Sequence, residues 1–227
     1  MTIEPWYQVA KAVALPPVKL WFTWHFEGLE HVPSEGPAII ACNHISYLDP
    51  LGNAYAIVKA GRRPRFLAKE DLFRIPVVGR ALRGAHQIPV DRAKAGDPSP
   101  LRAAEDALRE GECVLIYPEG TVTTMPDSSP MQARTGTVRL SLATGIPIVP
   151  MASWGSQAVW QKSGRGSLKF GRPVWVKAGP PIDLSAHAAE RNDREVLRKL
   201  TADLMAEIGA IVEDLRARYP KRWVQPR

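Results

Sequence analysis

His44 and Asp49 lie in the run Asn43-His44-Ile45-Ser46-Tyr47-Leu48-Asp49. An imidazole and a carboxylate at that separation can meet if the loop between them turns back on itself. The carboxylate then fixes the ring's tautomer through one nitrogen, and the other nitrogen is left to take a proton from an alcohol or water. The same spacing suits a plainer arrangement, in which Asp49 caps the helix opened by Asp49-Pro50 and His44 is a satisfied loop residue. Spacing alone does not choose between them.

Two further groups carry chemistry. Tyr117-Pro118-Glu119-Gly120-Thr121 combines a carboxylate, a glycine that permits close backbone approach and a hydroxyl, which together suit either a hydroxyl- or anion-binding turn or a plain turn. Asp91-Arg92 places a guanidinium, whose planar fork matches phosphate oxygens, just after a short apolar run; an internal ion pair is the alternative. Arg62, Arg63, Arg65, Lys69, Arg74, Arg80 and Arg83 form a basic belt that reads as an anion-facing surface or as a solvated one.

The surrounding pattern is one of strands alternating with helices. Pro37–Cys42, Arg65–Ala68, Gln87–Val90, Cys113–Tyr117 and Ile146–Met151 read as short strands, mostly apolar on both faces, with Ser167–Phe170 and Val174–Lys177 as shorter ones. Helices are expected over 51–60 and from Ser99-Pro100 to Gly111, near 132–144 before Gly145, and along a C-terminal stretch where Leu197, Leu200, Leu204, Ile208, Ile211 and Leu215 share one face. Such alternation predicts a single α/β domain with a mostly parallel or mixed central sheet flanked by helices. His44, Glu119 and Arg92 all follow strands, and open α/β sheets bind ligands beyond the carboxyl ends of their strands.

At 227 residues, 45% hydrophobic and 23% charged, the chain has the composition of one soluble globular domain. Cys42 and Cys113 lack C-x-x-C spacing and read as buried apolar residues, so no zinc knuckle or redox motif is expected. There is no G-x-S-x-G elbow, phosphate-binding P-loop or dinucleotide fingerprint, and no second His at ligand spacing from His44. A serine hydrolase, nucleotide hydrolase, dehydrogenase or zinc hydrolase is disfavoured, and no metal is expected. The net charge of +7 is concentrated in 61–100 and 161–227. Such zones suit nucleic acid, an anionic membrane surface or a phosphorylated small molecule. Nucleic acid is disfavoured because no aromatic-basic motif accompanies the charge.

Residues 1–28 read as a separate amphipathic segment. The apolar run Trp6–Trp24 has no cleavage signature and is interrupted by Lys11, Lys19 and Pro16-Pro17, so neither a secretory signal nor a bilayer span is expected. Trp6, Trp21, Phe22 and Trp24 beside two lysines suit the headgroup interface of a membrane, or else helices packed on the domain's own core. Residues 29–227 would then form the α/β domain.

Over about residues 30–180 the sequence resembles the glycerolipid acyltransferase family that includes bacterial 1-acyl-glycerol-3-phosphate acyltransferases. The family's N-H-x-x-x-x-D block is matched by Asn43, His44 and Asp49, and its Asp-Arg block by Asp91 and Arg92. Its Phe-Pro-Glu-Gly-Thr-Arg block is matched at Pro118, Glu119, Gly120 and Thr121, and its strand ending in proline by Ile148-Val149-Pro150. The resemblance implies transfer of a fatty acyl group from acyl-coenzyme A or acyl carrier protein to the hydroxyl of a lysophospholipid. The first acceptor in view is 1-acyl-glycerol-3-phosphate, giving phosphatidic acid without a metal, cofactor or covalent enzyme intermediate. His44 would be the general base, Asp49 its orienting partner, and Arg92, Glu119, Gly120 and Thr121 the acceptor site. A peripheral position on the cytoplasmic face of the cell membrane, among its phospholipids, follows from the same resemblance. Tyr117 replaces the usual Phe, and Val122 replaces the Arg that ends the third block, leaving Arg134 or Arg139 as stand-in phosphate contacts. A different lipid or glycolipid acceptor, or a non-catalytic lipid-binding module, are the competing readings.

Overall fold

A computed structural model of the chain describes residues 5–91 and 98–223, without the side chains at positions 5–7, 9–11, 14 and 15. Arg92 and the Trp6 side chain, both singled out above, lie outside the described residues.

Seven strands form one mixed sheet. In chain order they are β1 (Phe22–Glu27), β2 (Ala38–Cys42), β3 (Pro64–Lys69), β4 (Ile88–Val90), β5 (Cys113–Ile116), β6 (Ile148–Trp154) and β7 (Arg172–Ala178). Their spatial order is β1-β7-β6-β2-β5-β3-β4, and every pairing is parallel except β6 with β7. The helices are α1 (Pro5–Trp21), α2 (Asp49–Lys59), α3 (Glu70–Arg74), α4 (Pro76–Gly84), α5 (Ser99–Arg109), α6 (Gly136–Thr144) and α7 (Arg194–Arg218).

Alternation along the buried central strands divides the core in two. Ile39, Ala41, Val114, Ile116 and Ile148 face α5, α6 and α7, meeting Leu108, Val138, Leu197 and Ile208. Ile40, Cys42, Cys113, Leu115, Val149 and Met151 face the other way, against Ala56 and Ile57 of α2. Burial pushes the Cys113 thiol up to about 12 and raises that of Cys42 as well, so both act as apolar filler.

Because β5, β2 and β6 are parallel neighbours, the loops that leave their carboxyl ends emerge side by side at one edge of the sheet. Residues 117–122, 43–49 and 155–160 are thereby brought together from distant parts of the chain. The carboxyl end of β4, with Asp91, is three strand spacings from β2, roughly 14 Å.

Four expectations need correction. Phe22 and Trp24 belong to β1, an edge strand of the sheet, which starts ahead of the boundary expected after residue 28. Phe22 is buried against Leu48, Val159 and Val174, and Trp24 packs flat on Phe26 and edge-on to Tyr55, with Nε1 donating to Val18 O at 2.9 Å. Neither faces outward; of the aromatics proposed for a membrane interface, Trp21 is the exposed one among the described side chains, at 43%. Ser167–Phe170 is a loop: Leu168, Lys169 and Phe170 are exposed, and none of the four pairs with a strand among the described residues. The helix expected near 132 starts at Gly136, because Met131 and Arg134 are tied through their backbone N–H groups to Glu119 and Pro118. The basic stretch 70–84 forms α3 and α4, which no periodic apolar pattern announced.

Candidate active site

The loop after β2 is built around two side chains that replace backbone pairing. Asn43 takes over where the β2–β6 ladder ends: its Oδ1 accepts from Ser153 N at 2.8 Å and its Nδ2 donates to Ser153 O at 3.1 Å. His44 therefore leaves the sheet at a fixed point. Asp49 then turns back into the loop, with Oδ2 accepting from the backbone N–H of Ile45 (2.6 Å) and Ser46 (2.7 Å) and from His44 Nδ1 (3.0 Å). Its Oδ1 accepts from Ser156 Oγ at 2.6 Å. Asp49 thus does not cap the helix it opens; no side-chain cap bond is made at that end of α2. Four donors converge on one buried carboxylate, so His44 Nδ1 carries the proton in this pair and Nε2 carries the lone pair. Nε2 has no partner among the described residues, and His44 lines a cavity.

Tyr117, at the end of β5, stacks on the imidazole with ring centroids 4.2 Å apart and planes inclined by 21°. Its hydroxyl accepts from Asn53 Nδ2 at 3.0 Å, and Asn53 Oδ1 accepts from Ser153 Oγ at 2.7 Å. Burial raises the Tyr117 hydroxyl well above its ordinary range, keeping the phenol protonated. The ring beneath His44 is therefore anchored through Asn53 to the same serine that holds Asn43.

Glu119 does not face the cavity. Its Oε1 accepts from His44 N at 2.9 Å and its Oε2 from Met131 N at 2.8 Å, so both oxygens serve backbone N–H groups. Burial pushes its carboxyl above the usual range. Glu119 is a strut between two loops, and its expected place in the acceptor site is corrected accordingly. Gly120 has φ +70°, a backbone conformation that disfavours any side chain there. Thr121 and Val122 line the cavity, and neither backbone N–H has an acceptor among the described residues. Val122 is buried where the family's block carries an arginine.

The two stand-in arginines differ. A Cβ built on Gly120 would lie 3.8 Å from Arg134 Nε, so that side chain borders the Glu119-Gly120 turn. Arg139 stays on α6, its Nε donating to Thr135 Oγ1 at 3.2 Å. Asp91 lines a second cavity with Glu70, Phe73, Arg83, His86 and Ser99, which shares Gln87 with the cavity beside His44. The cavity beside His44 has a volume of about 800 Å³ and is walled by Tyr117, Thr121, Val122 and Trp160 together with Leu51, Phe66, Leu72 and Leu82. Apart from the imidazole and a few polar tips its surface is apolar, the character of a site for a hydrocarbon chain. Among the described residues no cluster of His, Cys, Asp and Glu could hold a metal ion, and no helix is long and apolar enough to cross a membrane.

Ser156, Asn53, Ser153 and Trp160 were not anticipated from sequence. Asn53 lies one helical turn after Asp49 on α2, Ser153 is a hydroxyl near the end of an otherwise apolar strand, and Ser156 follows just after that strand. Both are signals of a buried polar network, legible once that helix and strand are assigned.

Residues 23–154, more than half of the chain, match the model of the acyltransferase family. The chain belongs to that family. It is 31% identical over 147 residues to a 1-acyl-sn-glycerol-3-phosphate acyltransferase of Bacillus subtilis, covering 64% of this chain and 70% of that protein. It is 26% identical over 225 residues to a protein of the same name from Pseudomonas aeruginosa, covering 92% and 79% of the two. A chloroplastic relative from Arabidopsis thaliana is 28% identical over 168 residues, 72% of this chain, and the chain spans only 45% of that protein's length. Among solved structures, the 1-acyl-sn-glycerophosphate acyltransferase PlsC of Thermotoga maritima superposes with a TM-score of 0.70 at 26% identity, covering 95% of this chain and 81% of that one.

Proposed function

We propose that the chain transfers a fatty acyl group from an acyl-thioester, acyl-coenzyme A or acyl carrier protein, to the free hydroxyl of 1-acyl-glycerol-3-phosphate. The observation that carries this reading is the His44–Asp49 pair, bonded at 3.0 Å through Nδ1, with His44 lining an apolar cavity of about 800 Å³. An alcohol is a poor nucleophile at neutral pH. His44 Nε2 takes its proton as the oxygen attacks the thioester carbonyl; Asp49 holds the ring and stabilises the imidazolium that forms. The carbon–sulfur bond then breaks, the thiolate leaves, and the imidazolium returns the proton to it. Positioned base catalysis accounts for about 10²–10⁴-fold. The N–H groups of Thr121 and Val122, unaccepted among the described residues and on a loop that lines the same cavity as His44, are candidates to stabilise the oxyanion.

The apolar cavity takes an acyl chain, and Arg134 with Lys162, whose Nζ donates to Thr121 Oγ1 at 3.2 Å, supplies positive charge for the acceptor's phosphate. Such an acceptor lives in a bilayer, so the protein works as a peripheral enzyme on the cytoplasmic face of the membrane. A second reading, an acyltransferase for a different lipid or glycolipid acceptor, is favoured by Val122, which puts an apolar wall where the family's block has a cation.

The test is thiol release from acyl-coenzyme A by the purified chain against a panel of lysophospholipids and glycolipids. Release that depends on 1-acyl-glycerol-3-phosphate, with phosphatidic acid as product, is expected. Release only with an uncharged acceptor selects the second reading, and no release with any donor or acceptor leaves a lipid-binding module.

A further inference from the structure

The segment between β6 and β7 is held in a defined shape yet turns its largest apolar side chains outward. Gln161 N donates to Arg165 O at 2.8 Å and Ser167 N to Ala158 O at 3.0 Å, folding the segment back on itself. Gly166 lies so close to Val159 that an added Cβ would meet its carbonyl oxygen at 2.0 Å. Trp21 ties down the far end: its Nε1 donates to Leu168 O at 2.8 Å, its carbonyl accepts from Gly171 N at 2.8 Å, and its ring meets Phe170 edge-on. Despite this anchoring Trp160 is 56% exposed, Leu168 67% and Phe170 70%. Apolar rings and a leucine displayed on a hydrogen-bonded loop form a surface suited to a partner that removes them from water, and Leu20, next to Trp21 in the chain, is exposed as well.

The charge pattern says which partner. Lys162, Arg165 and Lys169 alternate with those apolar residues, and the sequence has no Asp or Glu between Asp127 and Asp183. Among the described residues neither Arg165 nor Lys169 has a carboxylate partner. Cations interleaved with aromatic and aliphatic side chains fit the headgroup and upper acyl region of an anionic bilayer, where the rings bury and the cations meet phosphates. The segment also reaches the reaction site. Trp160 lines the cavity beside His44, its ring meets Tyr47, and its carbonyl accepts from Tyr47 N at 3.1 Å and Ser46 Oγ at 2.8 Å.

We infer that residues 160–170, clasped by Trp21, dock the protein on an anionic lipid surface and set the mouth of the His44 cavity against the headgroup layer. The inference deepens the acyltransferase reading and rests on it for the location of the acceptor, but docking itself is measured without turnover.

The experiment is co-sedimentation of the whole chain with vesicles of phosphatidylcholine alone and with added phosphatidylglycerol, for the wild type and the pairs R165A/K169A and L168A/F170A. These four residues lie outside the cavity lining, so thiol release with a soluble short-chain acceptor stays within about twofold of wild type in both variants. Each cation near an anionic surface is worth about fivefold in binding, so R165A/K169A weakens binding to the anionic vesicles on the order of thirtyfold while binding to pure phosphatidylcholine is unchanged. L168A/F170A weakens binding to both by at least about tenfold. Wild-type binding by either variant overturns the inference. So does loss of turnover with acyl carrier protein at undiminished vesicle binding, which would make the segment a protein-docking face. Vesicle binding through this segment with no thiol release from the wild type would leave the docking surface standing and remove the acyltransferase reading.

Discussion

Ser156 donates to the same carboxylate that orients His44: its Oγ lies 2.6 Å from Asp49 Oδ1, while His44 Nδ1 lies 3.0 Å from Oδ2. The two residues reach Asp49 from different strands, Ser156 after β6 and His44 after β2, so the pair is set by the sheet and not by its loop alone.

Replacing Asp49 by Asn tests that convergence. An amide offers one acceptor oxygen and two donors, so it cannot satisfy four incoming donors and leaves the imidazole without its tautomer control. Acyl transfer should fall at least ~100-fold in steady-state assays. Ser156→Ala removes one bond to the carboxylate, costing about 1.5–3 kcal/mol in urea unfolding with a smaller loss of turnover. A larger catalytic loss in Ser156→Ala than in Asp49→Asn would show that Asp49 is not the orienting group.

Tyr117→Phe keeps the ring stacked on His44 and strands Asn53 Nδ2. The expected result is a stability loss of about 1–3 kcal/mol with turnover changed little. Tyr117→Leu removes the stack and should lower turnover clearly more than Tyr117→Phe does. If Tyr117→Phe costs as much turnover as Tyr117→Leu, the hydroxyl itself takes part and the stacking account is wrong.

Glu119 gives a pH dependence. Its carboxyl is raised by burial, so the folded protein holds this proton at a pH where the unfolded chain has already released it. Stability from this group is therefore greatest below the ordinary carboxylate range and is lost as pH rises through the raised value. Glu119→Gln should remove that slope from a plot of unfolding free energy against pH. It should also lower turnover, since an amide cannot accept from both His44 N and Met131 N. An unchanged slope would place the titration elsewhere.

Much of the site was legible because its residues follow strands whose apolar runs are unmistakable. His44 after Ile39-Ile40-Ala41-Cys42 and Glu119 after Val114-Leu115-Ile116 could be put at one sheet edge before any coordinates. What each side chain does there was less legible. Glu119 read as an acceptor-site residue through the family resemblance, its own run leaving a plain turn open, and only the two backbone N–H groups it serves show it to be a strut. Phe22 and Trp24 read as interfacial because aromatics near lysines suit a membrane, whereas pairing with β7, far along the chain, turns them inward. Long-range strand pairing leaves no local signature, and neither do α3 and α4, whose short lengths give no usable period.

That correction changes how the N-terminal segment is tested. Deletion through residue 25 removes the first four of the six residues of β1 and the Phe22 contacts with Leu48, and should destabilise the whole domain. Deletion of residues 1–16 leaves Val18, whose carbonyl accepts from Trp24, and should weaken vesicle binding while turnover on a soluble acceptor is kept. Unchanged vesicle binding by this shorter deletion would remove α1 from the membrane contact.

The account rests on one imidazole acting as a base, and the direct measurement is acyl-thioester turnover by His44→Ala with the fold checked by circular dichroism. The variant should fold as the wild type does and lose at least ~100-fold in acyl transfer. A folded His44→Ala protein that turns over near the wild-type rate would contradict the account.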